Sequence, residues 1–130
     1  MILGIGIDLV EVDRITRSLL KGDGFKNLVF SEEEQQLCEQ KTKPFESYAA
    51  RFAAKEAFLK ALGTGMEITH ELNQIEVLCS SKGAPYIRLS ETLLQLVKKH
   101  VSEQGVKILV SLTHTQHQAS AVVLLEIVQK

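Results

Sequence analysis

Cysteine is scarce: only Cys38 and Cys79 occur in 130 residues. Two thiols so widely spaced make neither a zinc site nor a disulfide framework, and both read as free thiols in a reducing compartment. Low-complexity segments, internal repeats and linkers are missing too, which leaves no boundary for a second domain. Charge of one sign is not in excess, since Lys and Arg number 15 against 16 Asp and Glu, a net charge of −1. That excludes the broad cationic field of a protein that coats nucleic acid, though not a small basic patch. No apolar run approaches the roughly 20 residues that cross a bilayer. The opening MILGIGIDLVEVDR meets acid at Asp8 and has no basic leader, unlike a signal peptide. The expectation is a soluble, cytoplasmic protein that engages neither membrane nor nucleic acid.

With 45% hydrophobic and 24% charged residues, the composition is that of an ordinary globular protein. A chain of this length forms one domain, 1–130, and buries roughly two-thirds of its unfolded surface without a disulfide or structural metal.

The pattern alternates between strands and helices. Over residues 2–9, Leu3, Ile5, Ile7 and Leu9 share one face of a strand, and Gly4, Gly6 and Asp8 share the other. The glycines leave that second face open to close backbone approach. A helix over about 11–20 is expected to end near Gly22 and Gly24. Ser31 followed by Glu34 is a capping-box start for another. Lys41 to Lys43 form a polar break, Pro44 suits the first turn of a long helix, and Gly63 suits its end. After a loop over 63–74, strands near 75–79 and 86–89 flank the turn residues Ser80 to Pro85. A helix follows from Ser90 to about Val101. Strands over 106–113 and 119–128 are apolar on much of both faces, so both faces need cover. In so small a domain, one layer of that cover can come from another subunit.

The long helix carries the strongest chemical signal. Phe45, Ala49, Phe52, Leu59 and Gly63 define a stripe by spacings of three and four, and Glu56 interrupts it. A carboxylate there is costly unless paired or hydrogen-bonded, and Lys60 lies at the i+4 spacing. An ion pair at the core rim accounts for Glu56, and a helix cap with Glu11 as reciprocal partner accounts for Asp8. If the helix crosses the strand, however, the two acids share a site. Two carboxylates with phosphate oxygens and waters form a typical Mg²⁺ environment, and Arg51, Lys55 and Lys60 beside them suit the remaining phosphates.

GIGIDLVEVDRI at 4–15 and RFAAKEAFLKALGTG at 51–65 resemble the two signature motifs of the holo-acyl-carrier-protein synthases. KGAPYI at 82–87 and SLTHTQHQASAVV at 111–123 resemble that family's C-terminal half. The resemblance covers nearly the whole chain, in order, without large insertions. Phe52 stands where many members have tryptophan, and the loop from Met66 to Gln74 follows no family pattern.

The resemblance implies an α+β 4′-phosphopantetheinyl transferase fold, antiparallel strands packed with one long helix. It implies assembly as a homotrimer with active sites between subunits. The expected activity is transfer of phosphopantetheine from coenzyme A to a serine of apo-acyl carrier protein, leaving 3′,5′-ADP. By resemblance, Asp8 and Glu56 match the Mg²⁺ ligands and Lys60 the lysine close to the coenzyme A phosphates. Arg51, Ser111 and His114 match positions near the cofactor. The resemblance does not name the base for the serine proton; Glu56 is a candidate, directly or through a water on the metal. Arg14, Arg17 and Lys21 fall on one helical face. Such a row is either a solvated surface or, for an acidic carrier protein, its docking site. His117 is read as a solvated turn residue. A rival from another class is a non-catalytic trimeric module that holds a nucleotide or peptide in its intersubunit grooves.

Overall fold

The computed structural model describes residues 1–63 and 68–128. Thr64 and Gly65 of the second motif, and Met66 with the residue after it, lie outside that set. Among the described residues, five α-helices and two antiparallel sheets give the expected α+β class. β1 (Ile2–Glu11), β5 (Gln118–Ile127) and β4 (Val106–His114) form one sheet in that order, with β5 central. β2 (Ile75–Cys79) and β3 (Pro85–Leu89) form a separate hairpin. Among the described residues, no helix is long and apolar enough to cross a membrane.

α1 (Val12–Leu20) leaves β1 without a break. Glu11 makes no side-chain cap bond, and the Val12 amide donates instead to the His117 carbonyl at 2.8 Å. Asp8 sits within β1 opposite Ala121, so the helix-cap reading of Asp8 and Glu11 does not hold. The two glycines do not form one terminus. Gly22, at φ 133°, turns the chain, but Gly24 lies inside a further helix, α2 (Asp23–Val29). That helix is only seven residues long and buries little besides Val29, too short to show a helical period. α3 (Glu32–Glu39) starts with the expected capping box between Ser31 and Glu34. α5 (Glu91–His100) starts with Ser90 accepting the Leu93 amide. A 3₁₀ turn, Leu72–Gln74, lies in the described part of the segment read as loop.

α4 (Pro44–Leu62) is the longest helix and is packed nearly all round. Gly63, left-handed at φ 79°, closes it as expected. One side is nearly all alanine and lies on the sheet. Above Gly4 is the carbonyl of Ala61, and above Gly6 that of Ala57; a Cβ added at Gly6 would stand 1.9 Å from the Ala57 oxygen. The open face read from the two glycines is therefore occupied by helix backbone.

A second side is polar and buried. Lys55 is fully buried and donates to Glu34 at 2.7 Å, to the Leu72 carbonyl at 3.0 Å and to the Ile75 carbonyl. Glu34 Oε2 in turn accepts the Val77 amide at 2.9 Å. Burial pushes the Lys55 ammonium below its usual range, and Glu34 opposes that shift. Lys55 therefore does not stand beside phosphates, as its place in the motif led us to expect. It ties α3 and β2 to α4.

The inner sheet face, under α4, presents Gly4, Gly6, Asp8 and Val10, then Ala119, Ala121, Val123 and Leu125, then Ile108, Val110, Leu112 and His114. The outer face carries Ile5, Ile7 and Leu9, which are 64%, 65% and 61% exposed, with Leu124, Val122 and Leu109 beside them.

The glycine seam leads to a stability prediction. Gly6→Ala should cost roughly 3 kcal/mol, because the added methyl group meets helix backbone and overpacking of this kind commonly costs 1–3 kcal/mol or somewhat more. Urea unfolding measures it, and a midpoint within error of wild type would mean that α4 does not rest on β1 as described.

Candidate active site

Asp8, Glu56 and Lys60 meet where α4 crosses β1. The crossing puts position 8, the next inner-face residue after Gly4 and Gly6, beside the helix flank that holds positions 56 and 60. Lys60 Nζ donates to Asp8 Oδ1 and to the Ile7 carbonyl, both at 3.0 Å. The ion pair at the helix is thus Lys60 with Asp8 rather than Lys60 with Glu56. Asp8 is largely covered, its side chain 17% exposed, while Lys60 is 55% exposed. Ser120 Oγ fixes the Asp8 backbone by donating to its carbonyl at 2.9 Å.

Glu56 is half-buried. Burial first, and then the Asp8 charge, push its carboxyl above the usual glutamate range, while Lys60 and Arg14 draw it back. Two acids held this close favour a proton or a cation between them. Among the described residues no group of three or more His, Cys, Asp or Glu could hold a metal ion. A pair of carboxylates nevertheless fits Mg²⁺, which keeps several waters and is commonly held by one or two carboxylates plus substrate phosphates.

Arg51 points elsewhere. At about 100° per residue, positions 51 and 60 fall on opposite sides of the helix. Arg51 is 4% exposed. It donates to the Val77 carbonyl at 3.0 Å and to Ser47 Oγ at 2.5 Å, and lies 4.0 Å from Cys79 Sγ. It forms part of the wall of a cleft of about 460 Å³ between the start of α4, the β2–β3 hairpin and β4. Lys41, Lys43 and His114 line the same cleft. The concentration of cations suits an anionic ligand, and the volume lies within the usual range for small-molecule sites.

The structure therefore divides the residues singled out from the sequence. Asp8, Glu56 and Lys60 come together on one flank of α4, and Arg51 and His114 come together on the other. Ser111 joins neither group, since it pairs with Val122 and is exposed on the outer sheet face, with Val122 between it and Ile7. Arg14, Arg17 and Lys21 are exposed along α1, but Arg14 bends toward α4, its guanidinium 5.9 Å from the Phe52 ring centroid. Arg17 is paired with Asp13 at 3.0 Å in full solvent, a contact of little energetic weight. From the sequence, Lys41 and Lys43 form only a polar break between helices. Their signal was the proline behind them, which fixes where α4 starts and so places both cations at the cleft mouth.

An α+β domain with an acid pair on one flank of its long helix and a cationic cleft on the other belongs to a known class. A sequence profile of the 4′-phosphopantetheinyl transferase superfamily matches residues 4–122, and the chain belongs to that superfamily. Within it, the chain is 44% identical over 124 residues to a holo-(acyl-carrier-protein) synthase of Cytophaga hutchinsonii, covering 95% of this chain and 97% of the relative. The fold matches the crystal structure of the Neisseria meningitidis holo-(acyl-carrier-protein) synthase with a TM-score of 0.85 at 34% identity, covering 97% and 99% of the two chains. It also matches the Bacillus anthracis holo-(acyl-carrier-protein) synthase in complex with coenzyme A (3′,5′-ADP), with a TM-score of 0.78 at 32% identity, covering 98% and 99%.

The acid pair can be tested without any substrate. In metal-free protein, a ¹³C NMR titration should find the Glu56 carboxyl above the ordinary glutamate value. Asp8→Asn should bring it down by removing the neighbouring anion, and Lys60→Met should push it further up. A Glu56 titration indifferent to Asp8→Asn would show that the two carboxylates do not share a field.

Proposed function

We propose that the protein is a Mg²⁺-dependent holo-acyl-carrier-protein synthase. It moves 4′-phosphopantetheine from coenzyme A to a serine of apo-acyl carrier protein and releases 3′,5′-ADP. The observation that carries this reading is the meeting of Asp8, Glu56 and Lys60 at the α4–β1 crossing, in a fold whose solved relatives include a coenzyme A complex.

The serine hydroxyl attacks the phosphorus that bears pantetheine, a new P–O bond forms, and the bond to the departing 3′,5′-ADP breaks. Catalysis of such a transfer rests on positioning and on neutralising phosphoryl oxygens. Mg²⁺ held by Asp8 and Glu56 supplies that neutralisation when bound. Lys60, half in solvent beside Asp8, would stabilise the leaving side. Glu56, whose proton affinity is raised by burial and by Asp8, is suited to accept the serine proton. Arg51 and His114, with Lys41 and Lys43, bind the anionic end of coenzyme A in the cleft.

These two groups stand on opposite flanks of one helix, and Ser111 lies on the apolar outer sheet face. All three join one site if a second subunit covers that face. We infer a homotrimer with intersubunit active sites; the exposed Ile5, Ile7 and Leu9 support association, and the number three comes from the family. Arg17 and Lys21, with Arg14 nearest the acids, form the docking row for an acidic carrier. Free Cys38 and Cys79 accord with work in the reducing cytoplasm.

Incubation with coenzyme A, Mg²⁺ and an apo-carrier should add the phosphopantetheine mass to the carrier. Asp8→Asn and Glu56→Gln should each lower the rate about a hundredfold, the usual effect of losing one such electrostatic group. Arg17→Glu with Lys21→Glu should instead raise the carrier KM, and added salt should do the same to wild type. No mass gain with several carriers would favour a binding module over an enzyme.

Assembly has its own readout. Light scattering should give a trimer of the 14.5 kDa chain, and Ile7→Asp on the outer face should yield an inactive monomer. An active wild-type monomer would sink the intersubunit site.

A further inference from the structure

Glu46 lies in the first turn of α4, 9% exposed, and neither its spacing nor its motif position attracts notice. Its two oxygens face different partners. Oε1 is 2.9 Å from His114 Nδ1, and Oε2 is 3.8 Å from Lys43 Nζ. Both partners line the cationic cleft, and Glu46 itself does not. A carboxylate in the first helical turn gains something from the helix dipole, about 0.3–1 kcal/mol. An exposed acid would gain that equally well, however, and would not need to be covered against the end of β4. Near-burial of a charge is costly unless its partners compensate, so the contacts that justify Glu46 are those to the two cleft-lining side chains, His114 and Lys43.

The contact also settles the His114 ring. With Glu46 accepting, Nδ1 carries the proton and Nε2 is the nitrogen left for the cleft. His114 is the last residue of β4 and its side chain is 46% exposed, a position where an untethered ring would sample several rotamers. Lys43, at 66% side-chain exposure, has still more freedom to lose. Ordering such groups before a ligand arrives removes part of the entropy cost of binding.

We propose that Glu46 is a positioning residue for coenzyme A: from behind the cleft wall, it holds His114 Nδ1 and Lys43 so that both present themselves to the ligand. This rests on the reading that the cleft receives coenzyme A. Glu46 touches no reacting atom, so it acts on capture of the cofactor and leaves the chemical step alone.

The test is steady-state kinetics with each substrate varied, on wild type, Glu46→Ala, Glu46→Gln, His114→Ala and the Ala/Ala double variant, each first checked for an unchanged melting temperature. Glu46→Ala should raise the KM for coenzyme A about tenfold, the scale of a lost hydrogen bond to a charged group, and leave kcat and the carrier KM within about twofold. Glu46→Gln, whose amide oxygen can still accept from Nδ1, should retain most of the affinity. The double variant should be no worse than His114→Ala by more than the share due to Lys43, because the two residues act through one contact. In ¹⁵N NMR, the Nδ1–H tautomer of His114 should be lost in Glu46→Ala and kept in Glu46→Gln. An unchanged coenzyme A KM in a folded Glu46→Ala, an effect that multiplies fully with His114→Ala, or a tautomer that survives without Glu46 would each overturn the proposal. Wild-type protein that transfers nothing would instead bring down the functional reading, and this proposal with it.

Discussion

The helix α4 lies on β1 with nothing between the two backbones except hydrogen atoms, and the position of every acidic group in the site depends on that contact. Gly4 and Gly6 provide no side chain and Ala57 and Ala61 provide almost none, so the carbonyls of the helix rest against the strand. A close contact between backbones has few alternative registers. Turning the helix by one residue, about 100°, would bring Phe58 and Leu62 over the glycines and lift it away. Fixing the register fixes which helix residue lies beside position 8, and that is how a strand carboxylate and a helix carboxylate come to be neighbours despite the cost of their mutual repulsion.

The opposite flank of α4 is held by different physics. Ser47, Arg51 and Lys55 recur at four-residue spacing and satisfy carbonyls and side chains of α3 and the β2 strand. Val77 is gripped on both sides, its amide by Glu34 and its carbonyl by Arg51. A buried ion pair such as Lys55–Glu34 gains little net stability after desolvation, but it demands one geometry. The cleft wall that contains Arg51 is built on that demand. The helix is thus located by steric fit on one side and by directional hydrogen bonds on the other.

Much of this could be read from the chain. The glycine-cleared face of the first strand, the capping box at Ser31, the proline start and glycine stop of α4, and the hairpin all followed from local chemistry. Asp8 and Glu56 were candidates by spacing alone, though spacing equally allowed a cap and a rim ion pair. Only the crossing of two elements, which brings Lys60 onto Asp8 from 52 residues away, removes the cap and the Glu56–Lys60 pair, and a single sequence carries no record of crossings. Lys55 shows the same limit from the other side. Adjacent to Glu56 in sequence, it seemed to belong to the same site, yet one residue turns a helix by about 100° and sends it into the core. α2 escaped notice because two glycines near a helix end read as one stop, and seven residues are too few for a periodic pattern to contradict them.

The order of strands in the main sheet has a bearing on how the molecule comes into being. The strand that carries Asp8 is made early, yet among the described residues its only sheet neighbour is β5, and Asp8 and Ser120 meet at a sequence separation of 112. On a ribosome, the backbone at Asp8 would wait without its strand partner until β5 had been synthesised, long after Lys60. Closing so long a loop is among the slow events of folding. A truncated product lacking the last strand would leave β1 and β4 with no partner and two exposed edges. Half-made chains would then be inert toward substrate and prone to aggregate, so the site appears only with the finished sheet.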